Sequence, residues 1–500
     1  MKLRRLIFRS PWKTAGRVLI PTAALLLTGC VVGPKYHPPA EQAPPAYKEA
    51  GDWKPAQPND QNLGGSWWTI FQDTQLNALE EQVNVSNQNL KAAEAQFRQA
   101  RATLRYYRAD YYPTVTYGLS ATRERISGRR PPATSIFDGV TYNDFVLPFS
   151  VSYQADVWGR VRKNVESYRE QAQASAADLA TVNLSMHADL AVDYFQARSL
   201  DAEEQLLNST VTQYEQALEL NENRFAGGIA SEVEVEQART QLETTRAQAI
   251  DVGVLRAQAE HAVAILIGKP PAEFSLAPLP LTAPPPYVPI SVPSELLERR
   301  PDIAAAERLV ASANAQIGVA KSAYYPSISL GASGGFESSA ITTLLNGPSG
   351  LWSVGLSAVG TVFDVGRRRA LNDQARAAYD YQVAAYRESV LSGFQQVEDN
   401  LAAVRILENE AKVQNEAVVA AQRSLDLSVT RYKGGVTSYL EVITAQSAAL
   451  ADEVTAVNIL GRRMANTVLL IQALGGGWDR SSLPERPECC GKLASSTGSN

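Results

Sequence analysis

The stretches Arg224-Phe225-Ala226-Gly227-Gly228-Ile229-Ala230-Ser231 and Arg431-Tyr432-Lys433-Gly434-Gly435-Val436-Thr437-Ser438 are one motif occurring twice, 207 residues apart. Each interrupts an Ala/Gln-rich helical pattern with a Gly-Gly pair, and glycine supplies the positive φ with which a helical hairpin turns. At the same spacing, Leu266-Ile267-Gly268 matches Ala473-Leu474-Gly475, and Trp158-Gly159-Arg160 matches Val365-Gly366-Arg367. Toward the N terminus the spacing becomes 213. There Tyr111-Tyr112-Pro113-Thr114 matches Tyr324-Tyr325-Pro326-Ser327, and Leu90–Glu94 matches Ile303–Glu307. The chain is an internal duplication whose second copy lacks six residues in a surface loop, where deletions are tolerated.

Both copies follow one plan. A helix is expected over about 74–110 and 295–323, each ended by a Tyr-Pro that cannot continue it. β-hairpins follow over 114–156 and 327–363. In the first, Val115, Tyr117 and Leu119, then Phe145 to Ala155 at every second position, alternate with small or polar residues. In the second, Ile328, Leu330 and Ala332, then Trp352, Val354 and Leu356, do the same. A period of two over such lengths is what a tilted membrane β-strand requires. The period then switches to helical. Long helical hairpins are expected over 159–268 and 366–475, each with an outgoing arm of roughly 100 Å and a 40-residue return. Leu207, Val211, Tyr214, Leu218 and Phe225 form one coiled-coil seam, and Val390, Phe394, Val397, Leu401 and Val404 another. Four strands cannot close a barrel, since the smallest membrane barrels have about eight. Open strand edges cannot stand in lipid, so the β-crossing must be shared among copies.

The first thirty residues read as an export signal. Six Lys/Arg precede a short apolar run, Val18 to Leu27, and Leu26-Leu27-Thr28-Gly29-Cys30 resembles a bacterial lipobox. Residues 1–29 are then a lipoprotein signal peptide, Cys30 is the acylated residue, and 30–65 form a Pro-rich lead segment. Cleavage leaves 41 Lys/Arg against 52 Asp/Glu, a net −11, which argues against nucleic acid as a partner. No run of 18 apolar residues follows residue 30. A Pro-rich linker is expected at 271–294 and a disordered tail at 479–500, which holds the adjacent Cys489 and Cys490. Adjacent cysteines make neither a disulfide framework nor a zinc site. His37, His187 and His261 are scattered, and Gly475-Gly476-Gly477 ends a helix rather than opening one. No catalytic residue, metal ligand or cofactor is expected.

These residues together resemble the TolC-like outer-membrane efflux protein family, of the NodT lipoprotein type. The resemblance is carried by Leu26–Cys30, Asp156-Val157-Trp158-Gly159-Arg160, Arg299-Arg300-Pro301-Asp302-Ile303, Ala323-Tyr324-Tyr325-Pro326 and the two Arg-aromatic-x-Gly-Gly turns, and it spans roughly 60–478. It implies a mainly α fold with membrane β: a homotrimeric duct, four strands per chain in a shared twelve-stranded barrel, and an α-helical coiled-coil barrel in the periplasm. It further implies a periplasmic adaptor, an inner-membrane efflux pump and passive exit of drugs or small toxic compounds. By the same resemblance, Gly227, Gly228, Ile229, Ala230, Ser231, Gly434, Gly435, Val436, Thr437 and Ser438 form adaptor-contact tips. Glu441 would be a gate residue facing the pore axis and Tyr432 part of a closing latch. Thr444 stands where some members carry a second acid, and Thr437 where some carry a base. A protein-secretion duct of the same fold and an envelope-bridging structural lipoprotein remain as alternatives.

Overall fold

In the computed structural model, residues 31–40, 43–50, 65–127, 139–288 and 293–484 are described; Cys30, Cys489 and Cys490 lie outside them. The chain divides into two compact units. One holds 31–39, 99–172 and 308–384; the other holds 40–98, 173–307 and 385–484.

The first unit contains the sheet. The first crossing, expected as one strand, is two pieces, β1 (Thr114–Tyr117) and β2 (Ser120–Arg125), both paired with β3 (Thr141–Ala155). They are separated at Gly118-Leu119, where the Gly118 N–H still donates to Pro148 O at 3.1 Å. β3 pairs antiparallel with β4 (Ser327–Ser338), and β4 with β5 (Gly350–Val359), so the two copies of the duplication meet along β3–β4. Register aligns the alternation across all four crossings. One face carries the rows Tyr153/Leu330/Leu356, Val115/Val151/Ala332/Val354 and Tyr117/Phe149/Gly334/Trp352. The other carries Thr114/Ser152/Gly331/Gly355 and Thr116/Ser150/Ser333/Ser353. Tyr117 and Trp352 are each more than 80% exposed in the single chain, an apolar face of the kind that needs lipid. β1/β2 and β5 are free edges, running in opposite directions, so β5 of one copy can pair antiparallel with β1/β2 of the next.

At the base of the sheet the lead segment is fastened down. The Val32 N–H donates to Trp158 O at 3.1 Å, and Gly33 lies so close to Gly318 that a Cβ on Gly33 would fall 2.8 Å from its Cα. Trp158 itself stacks on Tyr325 at 4.7 Å and donates from Nε1 to Pro326 O at 2.8 Å.

The helices expected over 74–110 and 295–323 are each broken in two. α1 (Thr74–Ser86) and α2 (Gln88–Arg108) meet at Asn87; α5 (Pro293–Arg299) and α6 (Pro301–Ser322) meet at Arg300. The long helices are α3 (Arg160–Ala226) and α7 (Arg367–Lys433), 67 residues each, and the return helices are α4 (Glu232–Leu266) and α8 (Tyr439–Ala473), 35 residues each rather than 40. The breaks have a reason. The last carbonyls of a helix lack partners within it, and the break residues supply them. Asn87 Nδ2 donates to Leu266 O at 2.8 Å, while its Oδ1 accepts from Leu90 N–H and starts α2. Arg300 Nη1 donates to Ala473 O at 3.0 Å. These are equivalent carbonyls in the two copies, served by an amide in one and a guanidinium in the other. Beside them Gly268 and Gly475 take φ of +70° and +93°, against the equivalent carbonyls Ser86 O and Arg299 O.

The main core of the second unit gathers Trp67, Trp68, Leu76, Tyr194, Leu401 and Ile471. Of the coiled-coil seams, Leu207, Tyr214, Val390, Val397 and Leu401 are buried, but Phe225 is 47% exposed, and the seam stops before it. The linker is pinned rather than slack. Asp201 accepts from Leu279 N–H at 2.8 Å and pairs with Arg198 at 2.9 Å and Arg256 at 3.0 Å, and Arg198 also donates to Ala277 O. The described residues at the start of the expected tail make defined contacts. Asp479 caps a turn at Arg480–Ser482, Arg480 pairs with Glu307 at 2.9 Å, and Leu483 packs on the cluster of Ala177, Ala304 and Ala305. Composition alone missed these long-range contacts.

One buried pair links α1 to α3. Glu80 Oε2 and His187 Nδ1 lie 2.6 Å apart, with Trp68 stacked on the imidazole at 4.4 Å. Asn84 Oδ1 accepts from Asn183 Nδ2 and from His187 Nε2, which leaves Nδ1 to accept from a protonated Glu80. Burial pushes the carboxyl up to about 9 and the imidazole down to about 4. The pair is therefore neutral at pH 7. Above pH 6.5, His187's ordinary value, the unfolded chain has shed both protons while the fold keeps that of Glu80. Stability then falls as pH rises toward 9. Glu80→Gln retains a donor to His187 and removes this linkage, so its melting temperature should drop less between pH 6.5 and 9 than that of the unsubstituted protein. Equal drops would exclude the neutral pair. Gly475→Ala should destabilise by about 1–3 kcal/mol or more, because its Cβ would fall 2.1 Å from Arg299 O. Gly253→Ala, inside α4 with open space around it, should stabilise by about 0.5–1 kcal/mol. Thermal melts followed by circular dichroism compare the two.

Candidate functional site at the hairpin tips

Both tips close by the same backbone bonds. In the first, Ile229 N–H donates to Arg224 O at 2.8 Å and Gly228 takes a φ of +70°. In the second, Val436 N–H donates to Arg431 O at 2.9 Å and Gly435 takes +72°. This capture of a carbonyl five residues back is how a left-handed residue ends a helix. The closure leaves Ile229 and Val436 about 70% exposed at the turns. Ser231 and Ser438 then open α4 and α8.

The two tips differ in their side chains. Glu234 reaches back to accept from Ser231 N–H at 3.3 Å, as in a capping box. Glu441 occupies the equivalent place after Ser438 but lies instead 3.8 Å from Arg431, each about half exposed. Tyr432 is 4% exposed, although its equivalent, Phe225, faces outward. Its hydroxyl donates to Asn221 Oδ1, the Arg224 guanidinium sits 4.7 Å over its ring, and the Tyr439 ring lies 5.2 Å away. Ala238 and Val442 complete this cluster. Burial pushes the Tyr439 phenol up to about 12 and that of Tyr432 upward as well, so both stay protonated donors. Tyr432 thus joins the second tip to the first hairpin within one chain. Sequence reading missed its partners: Arg224 belongs to the quoted motif, but periodicity gives no sign that it turns inward, and Asn221 carries no signal at all.

Thr444 Oγ1 bonds back to Leu440 O at 2.9 Å and offers no charge. Thr437 stays at the surface of the turn. Between α4 and α8, just behind the tips, runs an open groove of about 560 Å³ lined by Glu232, Val233, Glu236, Thr240, Leu440 and Ile443. Val233 and Leu440 are 63% and 57% exposed there. Among the described residues, no helix is long and apolar enough to cross a membrane.

Comparison with known proteins agrees with this architecture. The model of the outer membrane efflux protein family matches residues 79–269 and 292–476, one segment per copy of the duplication. The toluene efflux pump outer membrane protein TtgF of Pseudomonas putida is 31% identical over 468 residues, 92% of this chain and 96% of that protein. The cation efflux system protein CusC of Escherichia coli is 30% identical over 91% of this chain and 98% of its own. The solved outer-membrane channel OprN superposes with a TM-score of 0.84 at 29% identity, over 90% of this chain and all of that one. Structural neighbours of this kind are trimeric channels. With two family segments, a sheet of four crossings and the fold of such channels, this chain belongs to the outer membrane efflux protein family and is an outer-membrane efflux channel.

Proposed function

We propose that three copies of this chain form the exit duct of a tripartite efflux system for small toxic compounds, docked through the hairpin tips to a periplasmic adaptor and served by an inner-membrane pump. The observation that carries this reading is the sheet with two free, oppositely directed edges, on a chain that also carries two turned helix tips. Toluene and a cation are named for two relatives that share about 30% identity with this chain. Such different cargoes argue that selection lies with the pump, and that the duct passes what it is given.

Residues 1–29 act as the signal peptide in this reading, and Cys30 carries the lipid. The exposed turns at Gly227–Ser231 and Gly434–Ser438 meet the adaptor, whose helices would seat on the apolar floor of the α4–α8 groove between Glu232 and Glu236. Glu441, half exposed beside Arg431, would contribute one carboxylate per copy to a ring that favours cations. Tyr432 acts as a latch indirectly, by holding the second hairpin against the first within each copy.

Three measurements test this. Deleting the gene should raise sensitivity to several unrelated compounds; unchanged sensitivity across a broad panel would sink the efflux reading. Purified trimer in planar bilayers should conduct, and Glu441→Gln should lower its preference for cations over anions. Tyr432→Phe leaves Asn221 Oδ1 without its donor, at a cost of about 1–3 kcal/mol. The variant should open more often in bilayer recordings while the sheet remains intact. Wild-type gating in Tyr432→Phe would remove the latch role.

A further inference from the structure

The register of the sheet puts four chain passages at one of its ends. Thr114 opposes Ser152, Ala155 opposes Ile328, and Ser327 opposes Val359. The C-terminal ends of α2 and α6 and the N-terminal ends of α3 and α7 therefore surround the same rim, all within the first unit. The charge there runs against that of the chain. Segments 101–113, 156–170, 314–326 and 360–376 carry twelve Lys/Arg against six Asp/Glu, in a mature chain of net −11.

Part of that positive charge has nothing to answer it. Arg105, Arg160 and Arg367 are exposed and form no ion pair among the described residues, and Arg369 is 86% exposed with Asp373 only at 4.0 Å. Other basic residues of the rim are spent on structure: Arg162 pairs with Asp156 at 3.0 Å, Lys163 with Glu166 at 2.8 Å, Arg169 with Glu170 at 3.4 Å, and Arg368 with Asp364 at 2.7 Å. Asp156 and Asp364 are committed to the starts of α3 and α7, where they accept from the Val161, Arg162 and Arg368 N–H groups, and so do not answer the exposed arginines. Directly before the triple arginine, Val362, Phe363 and Val365 are 96%, 82% and 85% exposed, and Tyr112 and Tyr324 stand at the same level before β1 and β4. Apolar and aromatic side chains bordered by unanswered arginines are the composition of a membrane–water interface.

The geometry points to this rim as a binding collar for acidic phospholipid headgroups of the leaflet facing the periplasm, with Arg160, Arg367 and Arg369 contacting the phosphates and Phe363 and Val362 seated among the glycerol backbones. The chemistry selects the partner. A guanidinium pairs bidentately with phosphate, the apolar neighbours exclude a free ion as the sole occupant, and a zwitterionic headgroup leaves the excess charge uncompensated. The collar would fix the depth of the barrel by electrostatics, independently of the lipid on Cys30.

The test uses the full acylated trimer exchanged into vesicles of phosphatidylethanolamine alone or with a minority of cardiolipin, then released and weighed by native mass spectrometry. The unsubstituted trimer should retain cardiolipin in preference to phosphatidylethanolamine, and less so as salt rises. Arg160→Gln/Arg367→Gln/Arg369→Gln should lose about tenfold or more of that preference while staying trimeric. Arg160→Lys/Arg367→Lys/Arg369→Lys should keep most of it, as should Arg239→Gln/Arg246→Gln on α4. Equal retention of the two lipids would overturn the proposal, as would unchanged preference in the Gln triple variant. Dissociation of that variant into single chains would overturn it too, because the arginines would then be pairing across the subunit interface.

Discussion

A backbone amide or carbonyl in hydrocarbon must be hydrogen-bonded, because no water is there to take its place. Most of what this chain does follows from that. Its sheet satisfies β3 and β4 internally and leaves the outer edges of β1/β2 and β5 open, so a single chain cannot rest in a membrane. Because the crossings number four, the open edges run in opposite directions and a neighbour closes them without a topological change. Trimerisation is thus a condition of the chain entering lipid at all, and a pore is what a closed ring of small, polar side chains on one face leaves behind.

Duplication supplied the parts, and divergence gave the two halves different tasks. The carbonyl at the end of the return helix is held by Asn87 in one copy and Arg300 in the other. The glutamate after the tip turn caps its helix at Glu234 but is turned toward an arginine at Glu441. The aromatic of the turn is outward at Phe225 and enclosed at Tyr432. In each case the backbone frame is kept, and the exchanged side chain decides whether the position closes the fold or stays available at the surface.

How much was legible in the sequence depended on the range of the interaction. The alternation of Val115, Phe149, Leu330 and Trp352 is a local signal, and it placed the strands and the apolar face. The spacing between Gly227 and Gly434 gave two equal hairpins. What could not be read were contacts between residues far apart in the chain. The breaks at Asn87 and Arg300 exist to serve carbonyls more than 170 positions away, and no periodicity announces them. The same holds for Glu80 with His187, for Arg480 with Glu307 and for Arg224 over Tyr432. Phe225 shows the converse: a seam position by spacing that the tip leaves in the open. Glu441 was picked out by resemblance, while its physical setting beside Arg431 had to be seen.

The lead segment has a further consequence. Val32 is bonded to Trp158 O and Gly33 is pressed on Gly318, so only Val31 separates Cys30 from a fixed point on the rim. An acyl group on Cys30 would hang on a leash of a few ångströms. Three such leashes per trimer would set fatty chains as pegs around the foot of the barrel, so that the point of attachment and the inserted strands are neighbours in space.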